Sequence, residues 1–261
     1  MLTQALIVAR KELVDHLRDR RALGSSVLYS LMGPAVILLA LAARGPETGG
    51  PWAIMAAVFA LMAVFTSAMG PATDMIAGER ERRTLLPLIV SASSRSQVII
   101  GKWIATSVFG AVGLLTNLLG CIVVFSIYSS QASSLMWLPI FPALLSFALL
   151  AAAVETLVSA CCRSSKEAQT YLSMLMFVAM GFSMWLAFRS DTAHGWFNVL
   201  PLAGQQRLLE FAFGVGTPSS IHAVVIAVQS VLVALATIAT TAVVLSGACV
   251  LFQREEAAYG G

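Results

Sequence analysis

Six long apolar stretches limit this chain to one class of fold. A helix needs about 20 largely apolar residues to cross the hydrocarbon core of a membrane. Stretches of about that length cover residues 24–43, 52–73, 103–127, 138–161, 170–188 and 221–252. None shows the alternating pattern of a transmembrane β-strand. The sequence therefore predicts an all-α polytopic membrane protein in which residues 24–252 form six transmembrane helices.

The composition argues against a soluble fold. Of the 261 residues, 58% are hydrophobic and only 11% are charged, and the mean hydropathy is +0.85. Soluble domains carry about 25% charged residues. A chain of this length has too little interior to bury that much apolar surface, so most of it must face lipid.

The basic residues predict the orientation of the six helices. If the N-terminus is internal, thirteen of the sixteen Lys and Arg residues fall in internal segments, the exceptions being Arg44, Arg189 and Arg207. Lys and Arg accumulate on the cytoplasmic side of membrane proteins. We therefore expect both termini, including the tail 253–261, to be cytoplasmic, in the cell inner membrane.

The N-terminal segment, residues 1–23, predicts a helix that lies along the inner membrane surface. Leu6, Leu13 and Leu17 share one helical face, and charged residues occupy the other. A helix with these two faces binds at the lipid–water interface. Two roles remain open for it, as a membrane anchor in contact with lipids or as a contact surface for a cytosolic partner.

An external segment at 190–220 is too apolar for a solvated loop and too broken for a span. It contains Trp196 and Phe197, followed by Pro201 and Gly204. Irregular backbone at membrane depth must be covered by protein. We expect short helices that dip into the outer leaflet, and the alternative is an aromatic belt at the interface.

One acidic side chain lies inside a predicted span. Glu155 is eight residues before Arg163, which places it about 12 Å from the inner boundary at 1.5 Å per residue. An ionisable group at that depth is costly and must face protein, water or a partner. Glu155 is therefore a candidate for transport or gating, and the alternative is a neutral or locally paired structural residue.

Two further side-chain patterns could line a pathway. Asn117 belongs to a small and polar face of the third span, which suits either close helix packing or a pathway. The fifth span carries three methionines on one face, and flexible thioethers could accommodate varied cargo or simply pack. These residues are Met176, Met180 and Met184.

No motif for catalysis is present. The sequence lacks the phosphate-binding pattern G-x-x-x-x-G-K-[ST], the zinc pattern H-E-x-x-H and the nucleophile pattern G-x-S-x-G. The three histidines are scattered along the chain. We expect no catalytic residue, no metal site, no cofactor bound by this chain and no nucleic-acid partner. An intramembrane enzyme remains a weak alternative.

The internal segment 74–102 contains the most specific motif, GERERRTLLPLIVSASSR, which begins at Gly78. It resembles the coupling segment of ABC-2-type transporter permeases, and most of all the sodium-efflux (NatB-like) branch. The pattern of that branch is approximately G-E-x-E-R-G-T-L-E-P-L-L-x-x-P-x-S-R. The matching residues are Gly78, Glu79, Glu81, Arg82, Thr84, Leu85, Pro87, Leu88, Ser94 and Arg95.

Other stretches support the resemblance, and one feature departs from it. RKELVDHLRDRRAL at 10–23, SSKEAQTY at 164–171 and LFQREEAAYG at 251–260 are similar to the N-terminal helix, the second internal loop and the tail of the family. Members of the sodium-efflux branch commonly carry a large external domain after the first span. Here residues 44–51 alone connect the first two spans.

The resemblance implies an ABC-2-type exporter fold in which the internal loops dock on a separate ATPase subunit that binds ATP and Mg²⁺. It implies docking by Glu79, Arg80, Glu81, Arg82, Arg83, Thr84 and Leu85 in the first loop, with Lys166 and Glu167 in the second. The alternative for the first loop is a solvated cluster that only sets topology.

Six spans are half of such a permease, so a second copy is expected as a homodimer. The cargo could be sodium, or alternatively a peptide, lipid or antibiotic. A membrane scaffold without transport activity is the alternative from a different class.

Overall fold

A computed structural model describes residues 2–44, 49–82, 95–128, 137–188, 196–213 and 220–254, and all regular structure in these ranges is helical. The helices are α1 (Leu2–Arg18), α2 (Arg20–Arg44), α3 (Gly49–Thr73), α4 (Arg95–Tyr128), α5 (Trp137–Cys161), α6 (Ser165–Phe188), α7 (Ala203–Ala212) and α8 (Ser220–Arg254). A π-helix at Asp74–Gly78 and a single turn at Glu79–Glu81 extend α3, and a short 3₁₀-helix spans Phe197–Val199.

Six of these helices are long and apolar enough to cross a membrane, which confirms the prediction of an all-α polytopic protein. They are α2 to α6 and α8. The stretch that starts in α3 is the most buried of the six, and α6 is the least buried. Because a long apolar helix needs an apolar surrounding on every face that protein does not cover, the outer faces of this bundle suit a lipid environment.

Helix α3 occupies the centre of the bundle. It contacts α2 and α4 on one side and α5, α6 and α7 on the other, while α8 packs mainly along α5. An edge-to-face pair of Phe65 and Phe147, with ring centroids 5.8 Å apart, lies in the main apolar cluster between α3 and α5. Because consecutive spans alternate in direction, α5 and α8 run parallel to each other.

Small residues allow α3 and α4 to approach closely. A Cβ atom added to Gly113 would overlap the side chain of Ser67 and would lie 2.9 Å from the backbone oxygen of Ala63. Close backbone approach through small residues is the usual way for membrane helices to gain packing energy. The glycines of α4 therefore act at a helix crossing.

Helix α1 packs on the bundle with a face of mainly small residues and leaves two of its leucines exposed. Ala5, Val8 and Glu12 are buried against α4, whereas Leu6 and Leu17 are 53% and 55% exposed. The small residues on the buried face let α1 lie directly on the backbone of α4. Leu6 and Leu17 are exposed on the opposite side, where they could contact lipid. The location of α1 at the membrane interface stays a prediction.

Regular structure extends well into the segment expected to be a cytoplasmic connection at 74–102. The α3 helix continues through its π-helix to Glu81, and α4 begins at Arg95, so Lys102 lies in the third turn of a helix. Helices therefore cover both ends of the predicted segment 74–102.

Candidate functional site

The predicted docking residues that the structure describes gather where α3 ends, α4 begins, and α5 leads into α6. We call this region the charged junction and define it as residues 74–82 and 160–167 together with Glu12 and Lys102. Its charged side chains bind mainly to other parts of the same chain, as the following contacts show.

A π-helix sets the direction of the first loop. The segment Asp74–Gly78 begins three residues after Pro71, which has no N–H to donate. Within it, the backbone N–H of Ala77 donates a hydrogen bond to Ser159 Oγ at 3.2 Å, which ties the segment to α5. π-Helices contain one extra residue per turn and often mark functional sites. Here the extra residue rotates the following turn, Glu79–Glu81, relative to α3.

Arg80 binds the C-terminal end of α5. Its guanidinium donates to the backbone oxygens of Cys162 at 2.5 Å and Ala160 at 3.0 Å. The last carbonyl groups of a helix have no partner within the helix and carry the negative end of its dipole. A cation with several donors therefore suits this position.

Glu81 binds the N-terminal end of α6, which carries the opposite charge. Its Oε2 accepts hydrogen bonds from the backbone N–H of Ser165 at 3.0 Å and from Ser165 Oγ at 2.8 Å. Neighbouring side chains of opposite charge in the first loop thus bind two neighbouring helix ends of opposite polarity. The two loops are joined into one body by this pair.

The second loop adds its own cap to α6. The backbone N–H of Glu167 donates to Ser164 Oγ at 3.3 Å, and Glu167 Oε2 accepts from the backbone N–H of Arg163 at 2.9 Å. This arrangement is close to a capping box, in which a Ser and a Glu three residues later satisfy each other's backbone. Lys166, between them, is exposed.

Lys102 is the most buried charge of the junction. Its Nζ lies 3.0 Å from Glu12 Oε1 of α1 and 2.9 Å from Glu79 Oε2 of the turn after the π-helix. The lysine side chain is 1% exposed, and the two glutamates are 5% and 17% exposed. Burial of a charge is tolerated when it is paired with an opposite charge. Three separate elements therefore meet at one ammonium group.

Few of the predicted docking side chains remain free to contact a partner. Arg82 is 69% exposed, and its Nη2 lies 3.7 Å from Asp74 Oδ1. Lys166 is also exposed, whereas Glu79, Arg80 and Glu81 bind within the chain. The other three predicted docking residues, Arg83, Thr84 and Leu85, lie outside the described residues.

Sequence reasoning missed the roles of Glu12 and Lys102, which it treated as ordinary charges. One signal was available for Lys102, since it stands inside the apolar run VIIGKWIA. A second signal was available for Glu12, because it shares the helical face of Ala5, Val8 and Ala9. A charge on an otherwise apolar or small face usually has a partner.

Glu155, the candidate for transport or gating, is buried in α5, and its Oε2 has no hydrogen-bond partner among the described residues. It therefore does not belong to the charged junction. An oxygen without a partner is unusual there, because buried polar groups are nearly always hydrogen-bonded.

The remaining pathway candidates pack against protein. Asn117 Nδ2 donates to the backbone oxygen of Ser30 at 2.7 Å, which joins α4 to α2. The methionine side chains of α6 are half-buried against the main apolar cluster, and they are Met176, Met180 and Met184. These contacts bring neither group next to Glu155.

The opposite end of the bundle holds the short helices of the external segment. Leu202, at the start of α7, has φ 72° and ψ −52°, a strained backbone conformation for a leucine. Its N–H donates to Gln205 Oε1 at 2.6 Å, and Gln205 Nε2 donates to Thr237 Oγ1 of α8 at 2.8 Å. A buried glutamine thus compensates the strain and fastens α7 to a spanning helix.

A second buried amide and an ion pair complete the attachment of α7. Gln206 Nε2 donates to the backbone oxygen of Ser183 and to Glu210 Oε1, both at 3.0 Å, and Arg207 Nη1 lies 3.1 Å from Glu210 Oε2. Burial raises the pKa of Glu210, and its bonds to Gln206 and Arg207 partly offset that shift.

The structure thus defines an α-helical polytopic membrane protein with interlocked charged loops at one end of its bundle. Comparison with known sequences specifies the class, since the family described as "ABC-2 family transporter protein" matches residues 6–257. The chain belongs to this family.

Relatives of known name agree with this assignment. The chain is 36% identical over 155 residues to "ABC transporter permease protein NatB" of Bacillus subtilis, a match that covers 54% of this chain and 40% of that protein. It is 32% identical over 125 residues to "Probable ABC transporter permease protein NosY" of Stutzerimonas stutzeri, which covers 46% and 44%. The corresponding protein of Pseudomonas aeruginosa is 34% identical over 118 residues, covering 43% and 41%. The matches therefore span less than half the length of each relative.

Proposed function

We propose that this chain is the permease subunit of an ABC exporter, that two copies form the translocation pathway, and that a separate ATPase subunit supplies the energy. The observation that carries this proposal is the bridge formed by Arg80 and Glu81. It joins the described parts of both internal loops to each other. Loops joined in this way could receive force from a partner at one place and pass it to α3, α5 and α6 together.

ATP and Mg²⁺ belong to the partner in this proposal. The chain has no phosphate-binding motif of its own. Closure of two ATPase subunits around nucleotide would displace the joined loops. The exposed side chains of Arg82 and Lys166 would meet the partner first.

The proposed location is the cell inner membrane with both termini in the cytoplasm, in contact with membrane lipids. Its support is the distribution of Lys and Arg. A cysteine in place of Trp196, which is 63% exposed, should react with an impermeant maleimide in intact cells. A cysteine in place of Lys166 should react only after the membrane is opened, and the reverse pattern would contradict the topology.

Sodium is the first candidate cargo, by resemblance to the NatB-like branch. A peptide, lipid or antibiotic is the second, because residues 44–51 leave no room for the large external domain of that branch. A screen of candidate cargoes for stimulation of ATP hydrolysis by the purified complex would separate them.

Site-specific photo-crosslinking tests the proposed partner. A benzophenone amino acid at Lys166 should crosslink, in native membranes, to a protein that carries the pattern G-x-x-x-x-G-K-[ST]. The matched control is the same amino acid at Leu39, an α2 residue that is 70% exposed on the apolar surface, where no such crosslink is expected. Absence of a nucleotide-binding protein from the Lys166 crosslinks, together with absence of ATP hydrolysis in the purified sample, would favour a scaffold or an intramembrane enzyme.

A further inference from the structure

Lys102 and the two glutamates that it contacts form a cluster of three charges. Glu12, Lys102 and Glu79 come from α1, α4 and the turn after the π-helix, and they are separated by 90 and 23 residues along the chain. Charge pairs in low-dielectric surroundings interact strongly, but well-packed apolar side chains of the same volume usually stabilise a fold as well or better. An ionic contact at this position is therefore poorly explained by stability alone.

The two glutamates hold Lys102 in unequal ways. On the α1 side the contact is backed by tight packing, because a Cβ atom on the adjacent Gly101 would lie 2.7 Å from both the backbone oxygen of Ala5 and Cβ of Val8. Helices α1 and α4 are thus a single body at this point. Glu79 is the more exposed partner and belongs to a three-residue turn. Of the two contacts of Lys102, the one with Glu79 is therefore the less buried.

The turn that carries Glu79 also carries the residues that bind the second loop. Arg80 and Glu81 follow directly and bind the ends of α5 and α6. A displacement of this turn therefore acts on α5 and α6 through Arg80 and Glu81, and on α4 and α1 through Glu79. The Lys102 ammonium belongs to α4 and contacts the turn through Glu79 and α1 through Glu12, so it is a point at which the displacement divides.

We propose that Lys102 is a positioning residue for energy coupling, which holds the Glu79 turn to α1 and α4 so that these elements move together when the ATPase displaces the turn. This inference rests on the proposed function. Without Lys102 the turn would still bind α5 and α6, but the ionic contact that ties it to α1 and α4 would be lost. Two glutamates left facing each other would also repel.

The experiment measures the distance between the turn and α1 by pulsed electron paramagnetic resonance. Spin labels are attached to cysteines at Arg82 and Arg18, both exposed, in a chain whose exposed Cys161 is replaced by serine. The wild-type complex with its ATPase should give a narrow distance distribution that Mg²⁺ and a non-hydrolysable ATP analogue leave unchanged. Lys102→Met should broaden the distribution, make it dependent on nucleotide, and abolish permease-dependent stimulation of ATP hydrolysis.

Three further variants separate positioning from folding. Lys102→Arg keeps the charge and should restore the narrow distribution. Lys11→Met is the matched control, because Lys11 also lies near Glu12, at 3.5 Å, but is 53% exposed, and its ion pairs among the described residues, with Glu12 and Asp15, stay within α1. It should behave as wild type. A triple variant in which Glu12 and Glu79 become Gln and Lys102 becomes Met leaves no unpaired buried charge, and it should fold yet give the broad distribution.

Wild-type distances and hydrolysis rates in both Lys102→Met and the triple variant would overturn the inference. The distance measurement on the permease alone, without nucleotide, should already show the broadening in Lys102→Met. If no ATPase subunit copurifies with the wild-type chain, the proposed function fails. The distance measurement on the isolated chain still decides whether Lys102 holds the turn to α1.

Discussion

Replacement of Arg80 tests how strongly the two loops are joined. In Arg80→Met the oxygens of Cys162 and Ala160, which accept at 2.5 and 3.0 Å, lose their cationic donor. A hydrogen bond to a charged group contributes about 1.5–3 kcal/mol, and partial exposure of Arg80 favours the lower end of that range. Two bonds therefore predict a decrease of about 3 kcal/mol in the free energy of unfolding. Arg80→Lys retains the charge but only one such bond, so about half of the effect is expected.

The assay is reversible unfolding in mixed detergent micelles, followed by tryptophan fluorescence. Arg82→Met is the matched control, since Arg82 is the same residue type two positions later. Its side chain is 69% exposed, and its 3.7 Å distance to Asp74 is longer than a hydrogen bond. Exposed ion pairs contribute about 0–1 kcal/mol, so this variant should stay near wild type. Equal destabilisation by Arg80→Met and Arg82→Met would refute the argument that Arg80 binds the end of α5.

Three further predictions concern other parts of the bundle. Glu155→Gln should lower transport and the ATP hydrolysis coupled to it, because an isolated acid at that depth is costly to keep; unchanged activity over a range of pH would make the residue structural. Gly113→Ala should lower the free energy of unfolding by about 1–3 kcal/mol through overlap with neighbouring atoms, whereas Gly181→Ala, with open space around it, should not. Burial raises the pKa of Glu210 above 4.5, so the folded state binds that proton more tightly than the unfolded state. The stability that this group contributes is therefore complete below about pH 4.5 and is lost as the pH rises through the folded pKa. Glu210→Gln should flatten the pH dependence of unfolding in that window, and an unaltered profile would count against it.

Hydropathy was sufficient to predict the spans but not the contacts of the charged junction. The apolar runs specify six helices because each satisfies its own backbone hydrogen bonds locally. Arg80 and Cys162, by contrast, are 82 residues apart, and Lys102 and Glu12 are 90 apart. A local pattern shows that such residues are charged but contains no information about which distant group each one binds. The first loop was therefore predicted only as an internal docking surface for another subunit, and its contacts within the chain were not foreseen.

The contacts of α1 show a second limit of the sequence pattern. The leucines Leu6, Leu13 and Leu17 predicted a face toward the membrane, but hydrophobicity did not indicate which residues of α1 contact α4. In the structure the contact with α4 is made by Ala5 and Val8, because close approach of two helices depends on small side chains. The burial of Glu155, on the other hand, was foreseeable from its position in an apolar run.

The π-helix at Asp74–Gly78 has a consequence for how this chain can vary in length. Each residue of an α-helix turns the chain by about 100°, so the extra residue in this segment fixes the angular phase of everything after it. Loss of one residue between Asp74 and Gly78 would restore the regular winding and would turn Glu79, Arg80 and Glu81 away from their partners all at once. A substitution at this place changes one contact, whereas a deletion changes the phase of the whole loop. Insertions and deletions should therefore be tolerated far better in the connection between α2 and α3 than in these five residues.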